Sequence, residues 1–165
     1  MLIIIGIILI VSAGLALANL LYDRQVPNYL SRKVAHIPGG VAFLLGVLWL
    51  DPWTAVALSA ALTLVLIIVR FWRPTLLRGA GGSGRPHAYA ELTYPVAGTL
   101  SLAIGWGILG DRWLALVPIL MMAWGDSITG LVRSLMYRRE VKGIWGSMAM
   151  LAVCLLVAIL YDPYW

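Results

Sequence analysis

Charge is scarce in this sequence. Asp, Glu, Lys and Arg make up 12% of its 165 residues, against roughly 25% in a soluble domain, while 62% are hydrophobic and the mean hydropathy is +0.93. These values exclude a water-soluble globular domain. Cysteine is nearly absent: Cys154 stands alone in an apolar run, which rules out an intramolecular disulfide and reads as a small packing residue. The Gly-x-x-x-x-Gly-Lys-[Ser/Thr] pattern is missing, so no P-loop is present. No Lys or Arg precedes the first apolar run, although Ala16-Leu17-Ala18 has the form of a signal-peptidase site. That run is therefore expected to be a retained span. Paired repeats with broken helices, which a transporter predicts, are also lacking.

What is present is a series of apolar runs near the ~20 residues that cross a bilayer core. They predict an all-α, polytopic membrane protein, a single integral membrane domain over 1–165 with about six transmembrane helices. The expected spans are 2–21, 34–50, 53–72, 93–110, 112–136 and 144–160. Pro38, Gly39 and Gly40 interrupt the start of the second span, so a partly re-entrant segment is expected there, stabilised by protein or a wet cavity. Trp49, Trp53, Trp72, Trp113, Tyr137, Tyr161, Tyr164 and Trp165 fall near span ends, as interfacial anchors do.

The basic residues alternate with the spans. Arg24, Arg32 and Lys33 follow the first; Arg70, Arg73, Arg78 and Arg85 lie at and after the end of the third; Arg133, Arg138, Arg139 and Lys142 lie around the end of the fifth. The opposite connections hold Asp51, Asp111 and Arg112. The positive-inside rule then predicts both termini outside and the basic connections in the cytoplasm. It also accounts for the +5 net charge without nucleic acid as a partner. The longest connection, 73–92, carries Gly79, Gly81, Gly82 and Gly84 beside Arg78, Arg85 and His87. It reads as a flexible basic linker or as a loop closing over an anion with its backbone N–H groups.

Polar residues that are costly in a membrane point to the chemistry. Asp126 lies inside the fifth span, where a carboxylate costs at least ~2.5–3.5 kcal/mol on insertion scales and needs a partner or a wet cavity. Gly125 and Gly130 permit close approach beside it, Ser127 and Thr129 add hydroxyls, and Arg133 follows at i+7. An Asp126–Arg133 pair binding helices together is the structural reading; a metal ligand or catalytic carboxylate is the functional one. Arg32, Lys33 and His36 share a helix face and suit a phosphate or an anionic headgroup. Lys142 leads into Gly146 and Ser147, donors at a helix start where phosphate binds well. Glu91 and Tyr94 put a carboxylate and a phenol at the start of the fourth span. Hard oxygen ligands suit Mg²⁺ shared with substrate phosphates, and the membrane setting makes a lipid the other substrate. Phosphoryl or nucleotidyl transfer is the leading reaction class.

At these positions the sequence resembles the CTP-dependent lipid kinases that include dolichol kinase, phytol kinase and a yeast-type diacylglycerol kinase. Arg32-Lys33-Val34-Ala35-His36 looks like the R-K-x-x-H segment of that family, and Glu91 through Pro95 like its Glu/Tyr/Pro helix start. Gly125-Asp126 through Gly130 looks like G-D-x-x-A-x-x-G, and Lys142 through Ser147 like the K-x-x-E-G-S turn. Trp145 stands where the turn has Glu, and Thr129 where the helix has Ala. The Asp helix and the Gly-Ser turn also resemble phosphatidate cytidylyltransferases. The resemblance implies phosphorylation of a lipid alcohol by CTP at the cytoplasmic face, with cytidylyl transfer to a lipid phosphate as the alternative and a non-catalytic lipid-binding or transport bundle as a further one. It implies Mg²⁺ on Asp126, nucleotide phosphates held by Arg32, Lys33, Arg133, Lys142, Gly146 and Ser147, and His36 or Glu91 as general base. A homodimer is left open.

Overall fold

The computed structural model describes residues 1–81, 89–137 and 143–161, with backbone alone at Ala90, Tyr137 and Leu160. All regular structure among these residues is helical. Helix α1 (Leu2–Asp23) is followed by α2 (Asn28–Trp49), α3 (Pro52–Trp72) and a 3-10 turn at Pro74–Leu77. Helix α4 (Ala90–Ser101) runs on into a π-helical stretch, Leu102–Ile108. Helix α5 (Arg112–Leu120), a π-helical stretch at Met121–Gly125 and α6 (Asp126–Tyr137) follow one another without a break, and α7 (Ile144–Tyr161) closes the described chain. These rods lie where the apolar runs were expected. Three stretches, Leu2–Asp23, Pro52–Trp72 and Arg112–Met136, are long and apolar enough to cross a membrane, and Ile144–Ile159 is apolar but shorter.

Helix ends at opposite poles of the bundle are fixed differently. At one pole the turns are tight and acidic. Asp51 caps α3 by accepting from the Thr54 N–H at 3.0 Å, and Asp111 caps α5 by accepting from Trp113 and Leu114 at 2.8 and 3.1 Å, which satisfies backbone donors that have no intrahelical partner. Gly110, at φ +77°, makes the bend before Asp111. At the other pole sit the basic connections. Arg78 donates to Asp23 at 2.5 Å, the Gly79 N–H to Asn19 at 2.8 Å, and Ser31 to the Gly79 carbonyl at 2.7 Å. The glycine-rich connection is therefore docked on α1 and α2 as far as Gly79. A Cβ on Gly79 would lie 2.1 Å from the Ala18 carbonyl oxygen, so this glycine serves close packing. Arg85 and His87 lie outside the described residues.

Helix α2 corrects the expectation of a re-entrant start: it is continuous from Asn28 to Trp49 through Pro38. A proline in a helix interior loses one hydrogen bond and crowds the preceding turn, but neighbours accept the distortion here. The Pro38 ring occupies the space left by Gly14 on α1, where a Cβ would be 2.7 Å from it. Gly39 and Gly40 are crossing points, not breaks. A Cβ on Gly39 would meet the Tyr94 ring at 2.9 Å, and one on Gly40 would meet Trp124 Nε1 at 2.7 Å. The core forms where α2, α4 and α5 meet, around Val47, Leu102, Ala115, Leu116 and Ile119, all buried. By contrast Leu64, Val65, Ile68, Leu155, Leu156 and Ile159 are exposed. An apolar surface of that extent suits lipid rather than water.

Candidate active site

Two cavities meet at one wall. The first is a polar cleft of about 290 Å³ where α2, α4 and the start of α6 converge, lined by Arg32, Lys33, His36, Thr93, Tyr94 and Asp126 among others. Local sequence explains how Asp126 reaches it. Pro118 lies within α5, and the helix widens into π-helical turns over Met121–Gly125, immediately before Asp126. Such π segments are frequent at functional sites because they shift the register of the helical turns beyond them. Ser127 then ties this level to α2, donating to the Ala123 and Lys33 carbonyls at 2.5 and 2.9 Å.

Within the cleft, Lys33 Nζ pairs with Asp126 Oδ2, and His36 Nδ1 lies 3.8 Å from the same oxygen. The methylenes of Lys33 cross Gly130, where a Cβ would sit 2.8 Å from Lys33 Cγ. Gly130 thus makes room for a protein side chain. A Cβ on Gly125 would lie in ordinary contact, 3.5 Å from Met150 Cγ and Cys154 Sγ of α7. The Asp126 side chain is 39% exposed and that of Lys33 17%. Two fixed cations and a histidine face one carboxylate, so the cleft favours an anionic ligand.

The second cavity is an apolar groove. Ile7, Val11 and Leu15 of α1 form one side and Leu58, Leu62 and Leu66 of α3 the other, with α2 and α4 as the floor. Among the described residues α1 packs on α2 and α3 on α4, while α1 and α3 do not pack along one another. His36 and Tyr94 line the groove as well as the cleft. Their rings are stacked, with centroids 4.7 Å apart and planes at 15°, and Phe43 packs edge-on against Tyr94 at 5.9 Å.

Glu91 sits at the same end of the groove. Its side chain is 3% exposed, with Oε1 2.7 Å from Arg70 Nε. The pair is close in charge but not aligned as a hydrogen bond. Glu91 Oε2, Tyr94 Oη and His36 Nδ1 are buried without a hydrogen-bond partner among the described residues. Buried polar atoms are normally satisfied. Three unsatisfied ones at the polar end of the groove mark a place built for a polar ligand group.

The remaining candidates form a separate cluster. Arg133, expected to accompany Asp126, instead packs against α7: a Cβ on Gly146 would be 2.6 Å from Arg133 Nε. Thr129 donates to the Gly125 carbonyl at 2.8 Å and to the Gly146 carbonyl at 3.2 Å. Neither Arg133, Gly146 nor Ser147 lines the cleft, and Ser147 is exposed. Lys142 lies outside the described residues. Trp145 is 50% exposed at the start of α7, so Trp145→Glu is expected to change stability by no more than ~0.5 kcal/mol, which thermal unfolding in detergent checks. Sequence marked Tyr94 as a phenol beside Glu91 without giving it a role, and it did not single out Arg70, since nothing local marked that arginine as the partner of Glu91.

The donor set bears on a metal. Among the described residues no group of three or more His, Cys, Asp and Glu converges, and Asp126 is the one carboxylate lining the cleft. A protein cage for a resident ion does not fit. A single hard oxygen ligand does fit Mg²⁺ that arrives with nucleotide phosphates, since this ion commonly keeps only one or two protein carboxylates.

No family model matches the sequence, and no solved structure matches it. A curated relative does. The chain is 32% identical over 144 residues to a phytol kinase of Synechocystis sp., an alignment that covers 84% of this chain and 60% of that protein. The chain thus spans about three fifths of the length of this relative. It is similar to that phytol kinase over most of its own length.

Proposed function

We propose that the chain is a membrane-embedded kinase of an isoprenoid or other lipid alcohol, with CTP as phosphoryl donor. The observation that carries this reading is the shared wall. A cationic cleft suited to phosphates and an apolar groove suited to a lipid chain meet at His36 and Tyr94. The relative's activity on phytol supports the lipid alcohol, and CTP rests on the motif resemblance.

In this reading Arg32 and Lys33 hold phosphate charge in the cleft. Asp126 would hold Mg²⁺ that arrives with the nucleotide, where the ion would supply Lewis-acid stabilisation of the phosphoryl oxygens. The lipid hydroxyl lies at the junction, where Glu91 and Tyr94 orient it. His36 borders both cavities and takes the hydroxyl proton. The alcohol oxygen then bonds to the γ-phosphorus as the bond to the departing CDP breaks. Little covalent work falls to the protein; positioning and charge do most of it. Arg133, Gly146 and Ser147 do not line the cleft, so they enter this reading as contacts for the part of the nucleotide that extends beyond it, and Lys142 enters it by the motif resemblance alone.

Purified protein incubated with labelled CTP and a panel of lipid alcohols and lipid phosphates tests the proposal. The γ-label is expected in the lipid alcohol. The α-label in a lipid phosphate makes the chain a cytidylyltransferase, and no label in any lipid makes it a binding bundle. The reading includes six spans with both termini outside. In a Cys154→Ser background, Gly82→Cys is expected to label only from the cytoplasmic side and Pro163→Cys only from the other. Cytoplasmic labelling at position 163 sinks that topology.

A further inference from the structure

We infer that the apolar groove is a slot for one extended, branched chain, that its length matches about four isoprene units, and that Gly46 lies where the last unit must pass. The inference rests on the lipid-alcohol reading and deepens it to chain length.

The slot's polar end is fixed by His36, Glu91 and Tyr94, and its far end by Leu50, Ala55 and Leu102. From His36 to Leu50 helix α2 advances roughly 21 Å at about 1.5 Å per residue. An extended chain gains about 1.2 Å per bond, as an extended backbone does over its three bonds per residue, so a four-bond isoprene unit takes about 5 Å and roughly four units fill the slot. Small residues line it at Gly39, Ala42 and Gly46 on the floor and at Ala55 and Ser59 on the α3 side, which leaves width for methyl branches along a single chain. The sides do not close: α1 and α3 flank the groove without packing along one another, which lets a chain enter sideways from the bilayer.

Gly46 is the informative position. It is buried in α2, yet a Cβ added there would meet nothing within 4 Å. Most of the glycines around it are pressed against neighbours: Gly39 and Gly98 would place a Cβ 2.9 and 2.3 Å from aromatic rings. A buried backbone position facing open space faces the slot itself. It lies roughly 15 Å along α2 from His36, about three isoprene units from the hydroxyl site.

The test uses the full chain in detergent or nanodiscs, with farnesol (three units), geranylgeraniol (four) and a long polyprenol, reading both binding of tritiated alcohol and transfer of phosphate. The wild type is expected to gain efficiency from three to four units and nothing beyond. Gly46→Leu is expected to treat farnesol as the wild type does and to lose geranylgeraniol by about a hundred-fold, the scale of burying several fewer carbons. Gly46→Ala, a substitution compatible with a helix interior, is expected to give a smaller loss in the same direction and serves if the leucine variant fails to fold. Unchanged length preference in a folded Gly46→Leu or Gly46→Ala protein overturns the slot, as does wild-type efficiency that keeps rising with longer polyprenols. If the wild type binds geranylgeraniol but phosphorylates no alcohol, the kinase reading falls, while loss of that binding in Gly46→Leu upholds the slot. A wild type that binds none of the three overturns both.

Discussion

On the proposed lipid-kinase reading, Asp126→Asn is expected to lower lipid phosphorylation by about three orders of magnitude, with little change in stability. The substitution keeps size and polarity and removes only the charge that a phosphate-bound Mg²⁺ would need. Its neighbours make the stability half of the expectation definite. Lys33 is the partner that loses its counter-charge, and its ammonium borders an open cleft, where water or nucleotide phosphate can replace the carboxylate. The expected shift is within about 1 kcal/mol, the range of a partly exposed ion pair. Arg133 is not involved, since it packs on Gly146. The competing account makes Lys33–Asp126 a structural tie between α2 and α6. On that account Asp126→Asn melts early, the double variant with Lys33→Met recovers the loss, and Mg²⁺-dependent nucleotide binding stays normal. Thermal unfolding and nucleotide binding on the two variants separate the accounts.

The helices were legible in the sequence because apolar runs between charged connections leave few alternatives. Two kinds of feature were not. The first is tertiary relief of a local rule. Pro38 with Gly39 and Gly40 reads as a break, and only the seat at Gly14 and the crossings with Tyr94 and Trp124 turn it into continuous helix. Gly79 likewise reads as flexibility until the Ala18 backbone is seen against it. The second is the choice of partner. Asp126 announces itself by its cost in a membrane, and Arg133 at i+7 shares its face. Two turns along one helix bring different neighbours, however: α2 at Asp126 and α7 at Arg133. Arg70 reads as one more inside-positive charge at a span end, and its pairing with Glu91 joins α3 to α4 across a sequence gap that no periodicity spans. The groove was invisible for a simpler reason. Its lining is ordinary apolar sequence from four helices, and only their arrangement leaves space between them.

Arg70→Met is expected to destabilise the fold by about 3–5 kcal/mol, the cost of breaking a buried ion pair from one side. The asymmetry of the pair makes this specific. The Glu91 side chain is 3% exposed and that of Arg70 22%, so removing arginine strands the more buried charge. Glu91→Gln strands the arginine instead, which sits one turn from the end of α3, beside Tyr89, and can turn its head toward water. That variant is expected to lose about 1 kcal/mol. The double variant should then lie close to Glu91→Gln in stability, well above Arg70→Met alone. Activity divides differently. If Glu91 orients the lipid hydroxyl, Glu91→Gln keeps an acceptor oxygen but loses the charge-assisted hydrogen bond, roughly twice as strong as a neutral one. Its kcat/KM for the alcohol should fall on the order of 10-fold to 100-fold, with CTP binding untouched. The double variant should stay at that reduced activity despite its recovered stability. Full activity in the double variant would make the Arg70–Glu91 pair a structural tie and remove Glu91 from the site, leaving Tyr94 and His36 to hold the hydroxyl.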